Sequence, residues 1–163
     1  PWEGLVLNDL ADEVLGATKP LLERRGILLV YDPDPHLPAV RGDREKLKQV
    51  FFNLVLNAVE AMGPGGRLTV RTFAEGGSSC ALVADTGAGI PPEDLPHIFK
   101  PYYSRKAGGS GLGLAISEEV VRVHGGVIRV CSRPGGGTAF TVCLPALNWG
   151  KDGEGTDGTH SDR

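Results

Sequence analysis

The chain of 163 residues lacks most of what would commit it to a membrane or a nucleic acid. No apolar run approaches the roughly 18 residues that a spanning helix needs, and no signal peptide is expected within these residues. A cationic surplus is missing too. Seventeen Lys and Arg against 20 Asp and Glu leave a formal charge of −3. That argues against nonspecific nucleic-acid binding and against a basic membrane-facing patch. Cysteine is sparse. Cys80, Cys131 and Cys143 lie far apart without C-x-x-C spacing, each in an apolar, strand-like stretch. They are expected to be reduced core residues of a cytoplasmic domain, not disulfide partners or zinc ligands. Internal repeats are absent. The length suits one domain with its own core. Because it begins at Pro1, the chain is expected to be part of a longer protein.

What the chain has in excess is glycine, 24 residues, about twice the average usage. Much of it falls in clusters at 63–66, 87–89, 108–113, 125–126 and 135–137. Such clusters are turns by default, and they also let backbone approach a ligand closely.

One stretch organises the rest. Lys46 to Met62 runs without Gly or Pro, Asp43 stands where an N-cap belongs, and Gly63-Pro64-Gly65-Gly66 ends it, so a helix is expected from about 43 to 62. Its wheel is apolar almost all round: Leu47, Val50, Phe51, Leu54, Val55, Ala58, Ala61 and Met62 on one arc, Phe52, Leu56 and Val59 behind. Such a helix should be buried. Yet a narrow stripe of Gln49, Asn53, Asn57 and Glu60 crosses it. A buried, unpaired amide costs about 1–3 kcal/mol, so these side chains need partners from elsewhere. Either they form a buried hydrogen-bond network or they line a ligand pocket, where an Asn oxygen suits Mg²⁺.

Around this helix the pattern places an amphipathic helix at 7–25, capped by Asn8 or Asp9 and kinked at Pro20, and a strand at 27–31. A Pro-rich loop with a solvated His36 and a short edge strand at 39–41 follow. Two strands, 67–74 and 80–84, are joined by a Gly76-Gly77-Ser78 turn. Residues 85–113 form a long Gly- and Pro-rich segment, helical only briefly within 93–99, and loops of that length are usually functional or disordered. A helix at 112–124 is expected to bury Leu112, Ile116, Val120 and Val123 and to expose Glu118, Glu119 and Arg122. Strands at 127–131 and 138–144 close the domain, and a Gly-, Asp- and Thr-rich tail from about 146 is expected to be flexible. This order predicts an α+β two-layer sandwich, with three helices on one face of a mixed, mostly antiparallel sheet of about five strands.

Three glycine-bearing segments carry candidate chemistry. In Asp85-Thr86-Gly87-Ala88-Gly89 an Asp at a strand end can accept from an exocyclic amine such as the adenine N6, though D-x-G also occurs in ordinary turns. Gly109-Ser110-Gly111-Leu112-Gly113-Leu114 opens a helix, and helix N-termini with Gly room attract phosphate. It lacks the β-α-β context of a dinucleotide loop and the Lys-Ser/Thr of a P-loop. Gly136-Gly137-Thr138-Ala139-Phe140 reads as a turn entering a strand.

Together, in this order, these segments resemble the boxes of the catalytic ATP-binding domain of bacterial sensor histidine kinases, in the superfamily that includes DNA gyrase and MutL. Asn53-x-x-x-Asn57 is similar to the N box, Asp85–Ile90 to the G1 box, and Ile98–Lys106 to the F box. Gly109–Leu114 is similar to the G2 box and Gly137-Thr138-Ala139-Phe140 to the final G-T-x-F. The resemblance implies a Bergerat-type ATP-binding fold over 1–145, with a mobile ATP lid at about 91–110 and a tail at 146–163. It implies that Asn57 binds Mg²⁺, that Asp85 reads adenine with help from Thr138 through water, and that Gly87, Gly89 and Ile90 frame the base. Gly109, Ser110, Gly111, Leu112, Gly113 and Leu114 would wrap the phosphates, Phe99 would pack the lid, and Lys106 would reach the terminal phosphate.

Two departures stand out. Where many sensor kinases carry a Lys three residues after the second Asn, this chain has Glu60, which cannot neutralise phosphate and would contact ribose, Mg²⁺-bound water or nothing; this and the short lid resemble the nitrogen-regulation type. No His fits a phosphoacceptor box, so that helix is expected upstream, on a dimerisation domain of the parent protein, with a response regulator as an indirect partner. The gyrase- and MutL-like members place a general-base Glu where this chain has Asn53, which cannot take a proton. The resemblance therefore implies a protein-histidine kinase module with ATP and Mg²⁺, poor intrinsic hydrolysis, and Asn53 and Lys106 at the reacting end. The alternative is an ATP-driven conformational switch without kinase activity; a degenerate domain that binds a protein but no nucleotide is a third reading. No nucleic-acid or membrane contact is expected, and the parent protein is allowed a membrane anchor.

Overall fold

The computed structural model describes residues 1–103 and 112–147. Alternating apolar residues build a five-stranded sheet in the order β2 (Leu28–Asp32), β4 (Arg67–Glu75), β5 (Ser78–Asp85), β7 (Thr138–Pro145), β6 (Val127–Ser132). β2 and β4 run parallel and every other neighbour is antiparallel. Every second residue faces the helices and is buried: Leu68 and Val70 on β4, Ala81 and Val83 on β5, Phe140, Val142 and Leu144 on β7. Three helices supply the other layer: α1 (Leu7–Arg24), α2 (Arg44–Met62) and α3 (Gly113–Val123). α2 packs between α1 and α3 and against β5. The expected α+β sandwich is the architecture found. Among the described residues no helix is long and apolar enough to cross a membrane.

α2 forms where its pattern and cap place it. The Asp43 side chain accepts from the Lys46 N–H at 3.2 Å, satisfying one of the donors a helix start leaves open. Its apolar face is buried from Leu47 through Val59, while Phe52 stays 36% exposed. The back of the helix is therefore only partly covered.

Several local expectations do not hold. A second, two-stranded sheet pairs β1 (Glu3–Leu5) with β3 (Val40–Gly42); β1 is too short to show a period. α1 starts at Leu7 behind Val6 with no side-chain cap, because Asn8 is taken by tertiary bonds, donating to the Asp34 carbonyl and accepting from Thr72. α3 buries Ser117 and Val121; of the predicted stripe Leu112 and Val120 are half-buried, Val120 packing on the core, whereas Ile116 and Val123 are 47% and 55% exposed. The reason is polar: Ser117 faces a side chain of α2, which turns the helix by about one residue's 100° from its most apolar face. The cysteines also differ. Cys80 and Cys143 lie directly opposite one another on β5 and β7 and are joined as a disulfide, while Cys131 is exposed on edge strand β6. Strand parity decides this, since spacing in sequence says nothing about register. Ala146 bridges Val40, and the Leu147 N–H donates to the Ala39 carbonyl, so the start of the predicted tail is tied to β3.

Candidate functional site

The C-terminal end of β5 and the start of β7 meet at Asp85 and Thr138, which are partners in register. Asp85 is buried at 8% exposure. Its Oδ1 accepts from the Gly87 N–H at 2.8 Å and from the Thr138 N–H at 3.3 Å. Burial pushes its carboxyl above the usual carboxylate range, and these two N–H groups pull it partly back. Among the described residues Oδ2 makes no hydrogen bond, and none of their buried polar side-chain atoms is left unsatisfied. Oδ2 therefore reaches solvent. One oxygen of this carboxylate holds the loop and the other remains an acceptor for an incoming donor.

The glycines after Asp85 serve a close approach, and its first beneficiary is the protein itself. A Cβ on Gly87 would fall within the van der Waals radius of the Ala61 carbonyl at the end of α2. A Cβ on Gly89, at φ +79°, would strike the Arg133 carbonyl. The loop is thus wedged between α2 and the β6–β7 turn. The Ile90 N–H donates to Ser132 Oγ at 2.8 Å, and Ser132 Oγ lies 2.8 Å from the Thr138 hydroxyl. Ser132 orders both Ile90 and Thr138, yet no motif in the sequence marks it.

The amide stripe divides. Asn53 is half-buried and its partners are known: Nδ2 donates to the Gly113 carbonyl and to Ser117 Oγ, both at 3.3 Å, and Oδ1 accepts from Gln49 at 2.9 Å. Of the two readings of the stripe, a hydrogen-bond network describes Asn53, which joins α2 to the first turns of α3. Asn57, one turn on, is half-buried, and Glu60 is exposed. Gly113 stands at the α3 N-terminus against Asn53, Leu112 precedes it without a side-chain cap, and Leu114 packs on the core. Lys106, Gly109, Ser110 and Gly111 lie outside the described residues. The segment before them is anchored: Ile98 is buried, the Phe99 ring meets Phe140 edge-on at 6.2 Å, and Tyr103 donates to Asp94.

His124 closes the far end of α3. Its Nδ1–H donates to the Val120 carbonyl at 2.7 Å, which leaves Nε2 to accept from the Asp43 N–H at 3.0 Å. The ring also stacks on Trp2 with centroids 4.3 Å apart. His124 thus connects α3 to the cap of α2, a role its place at a helix end does not betray.

The structure brings together Asp85, Gly87, Gly89, Ile90 and Thr138 at one end of the sheet, and Asn53 with Gly113 between the helices. That arrangement can accept an amine on Oδ2 of Asp85. It can also present the N-terminal end of α3, where Leu112 supplies no side-chain cap, to an anion. The donor set fits one Mg²⁺ contact, since a single carboxamide oxygen at Asn57 suits an ion that keeps waters and phosphate oxygens for its other positions.

Comparison with known proteins agrees with this geometry. Residues 42–148 match the family described as Histidine kinase-, DNA gyrase B-, and HSP90-like ATPase. The chain is 40% identical over 155 residues to the sensor histidine kinase ZraS of Klebsiella oxytoca, an alignment covering 94% of this chain and 34% of that protein. It therefore spans about a third of the length of such curated relatives. Among solved structures, the catalytic domain of the histidine kinase ThkA superposes with a TM-score of 0.82 at 30% identity, covering 90% of this chain and 99% of that one. Full-length ShkA in complex with AMPPNP gives a TM-score of 0.81 at 28% identity, covering 90% of this chain and 31% of that one.

Proposed function

The chain belongs to the histidine kinase-, DNA gyrase B- and HSP90-like ATPase family, and we propose that it is the ATP-binding catalytic module of a sensor histidine kinase. The observation that carries this is the split carboxylate of Asp85, with Oδ1 committed to the Gly87 and Thr138 N–H groups. In this reading Oδ2 accepts from the adenine amine, and the Thr138 hydroxyl, held by Ser132, supports the same edge through water. Asn57 would hold Mg²⁺, which supplies charge neutralisation of the phosphates when bound. The start of α3 receives phosphate, with Gly113 beside it and Gly109, Ser110 and Gly111 preceding in sequence. Lys106 adds a positive charge at the terminal phosphate.

The module delivers the γ-phosphoryl to a His on a dimerisation domain that lies outside residues 1–163. Asn53 supports this over hydrolysis. It cannot take a proton from water, and its amide is already occupied in joining α2 to α3. Catalysis then rests on positioning and on charge neutralisation. The test mixes the chain with a separately made phosphoacceptor domain and γ-labelled ATP. Label transferred to the partner's His is the expected result. Bound ATP with no transfer, and steady hydrolysis without a partner, would favour a conformational switch instead.

A further inference from the structure

We propose that Cys80 and Cys143 form a reversible dithiol–disulfide site, reached by small thiols and disulfides past the side chain of Arg129. This does not rest on the nucleotide reading. The two cysteines are register partners on β5 and β7 and are joined as a disulfide. Val83 and Phe140, three residues along each strand, point into the core, so the cysteine pair faces the other way, on the side of the sheet without helices. A pair on an open face should be exposed. Instead Cys80 is 0% and Cys143 6% exposed.

The cover consists of side chains: Phe73 and Val127, the register partners of Cys80 and Cys143, lie beside them on the same face, and a charged pair spans the strands. Glu75 on β4 and Arg129 on β6 form an ion pair at 3.7 Å that crosses the two intervening strands. Arg129 Nη2 also lies 3.5 Å from Cys143 Sγ. Both ends of the ion pair are more than half exposed, at 60% and 64%. Exposed ion pairs are weak, so the Arg129 side of the cover opens at Cys143 without moving backbone. The guanidinium also favours a thiolate at Cys143 and attracts an anionic attacking thiol.

The exchange balances with a small disulfide such as glutathione disulfide as oxidant. The Cys143 thiolate attacks one glutathione sulfur, forming a mixed disulfide and expelling one glutathione thiolate. The Cys80 thiolate then attacks Cys143 Sγ and expels the second. Two protons leave the cysteines, two electrons pass to glutathione, and the reverse sequence with two glutathione thiols reduces the pair. The same donors suggest a metal site, because Glu75, Cys80 and Cys143 offer ligand atoms within 4.8 Å of one another. Arg129 opposes it, since its positive charge already sits on two of those three donors.

The clasp joins central strands whose other ends, five residues on, carry Asp85 and Thr138, about 17 Å away. The test uses the whole chain with Cys131→Ser, which removes the exposed thiol. The protein is equilibrated over a range of glutathione ratios, quenched in acid, denatured and alkylated. The expected result is one cooperative two-electron step from no alkylated thiols to two. The reduced form melts about 5–15 °C lower. Arg129→Gln slows exchange about fivefold and Arg129→Lys restores it. Two free thiols at every ratio, or reduction only after unfolding, would overturn the proposal. So would a reduced chain that binds one equivalent of Zn²⁺ and thereby protects both thiols. Unchanged or faster exchange in Arg129→Gln would remove the part assigned to that residue.

Discussion

The Asn53 amide donates to the Ser117 hydroxyl at 3.3 Å and so fastens the middle of α2 to the start of α3. The helix that carries the candidate Mg²⁺ ligand and the helix that opens with the candidate phosphate loop, already packed on one another, are thus also linked by this side-chain contact and its neighbour at Gly113. Asn53→Ala leaves the buried Ser117 hydroxyl without this partner and should cost about 1–2 kcal/mol in urea unfolding. A double-mutant cycle with Ser117→Ala should give a coupling of about 0.5–1 kcal/mol. Strict additivity would mean that the bond contributes nothing to the fold.

Gly89 and Gly76 offer a controlled comparison. Both have positive φ, +79° and +56°, but only Gly89 has backbone where a Cβ would go; around Gly76 nothing lies within 4 Å. Gly76→Ala should therefore cost only the dihedral strain, about 1 kcal/mol. Gly89→Ala should cost at least about 2 kcal/mol, because the Arg133 carbonyl must move. The Gly135 N–H, which donates to the Ala88 carbonyl at 2.6 Å, should then lose protection in hydrogen exchange. Equal destabilisation by the two substitutions would show that the loop is not wedged.

Asn57 and Asp85 should separate metal dependence from base recognition. Asn57→Asp replaces a neutral oxygen ligand by a charged one beside the proposed phosphates. ADP affinity measured in EDTA should change little, while the Mg²⁺ dependence of ATP binding should shift by about tenfold. A change of adenine affinity with unaltered metal dependence would move the Mg²⁺ assignment off Asn57.

Much of the fold was legible because it is written in periods and caps. The 43–62 helix has its Asp43 cap and its Gly63 stop, and the strands alternate cleanly. The boxes were legible because their residue types recur in a fixed order. What could not be read were the partners. Glycine at 87 and 89 announces that something comes close, but that the closest atoms are the Ala61 and Arg133 carbonyls depends on tertiary placement. Ser132 and Ser117 carry no signal, since a serine at a strand end or on a helix is ordinary. The face of α3 is not legible in hydropathy, which ranks Ile116 above Ser117, whereas the structure needs the hydroxyl inward. The cysteine pair is not legible either, because register across β5 and β7 is invisible in the spacing of residues 80 and 143.

Asp85 is predicted to trade stability against binding. Burial raises its carboxyl above the ordinary 3.8, so the folded chain prefers the proton more than the unfolded chain does. The contribution is then most favourable below the unfolded value, declines as pH rises through the folded value, and is flat above it. At neutral pH the ionised carboxylate is held at a cost. Asp85→Asn keeps an oxygen for the Gly87 and Thr138 N–H groups and removes that cost. The variant without nucleotide should melt at or above the parent temperature at pH 7, with the difference shrinking as pH falls toward 4. The same change points an NH₂ group at the site of Oδ2, where a donor from adenine must arrive. Affinity for ADP should fall tenfold or more, the loss of a charge-assisted bond of about 1.5–3 kcal/mol. Melting curves against pH and an ADP titration in calorimetry check both halves. A variant that binds ADP as the parent does would remove adenine recognition from Asp85, whatever its stability.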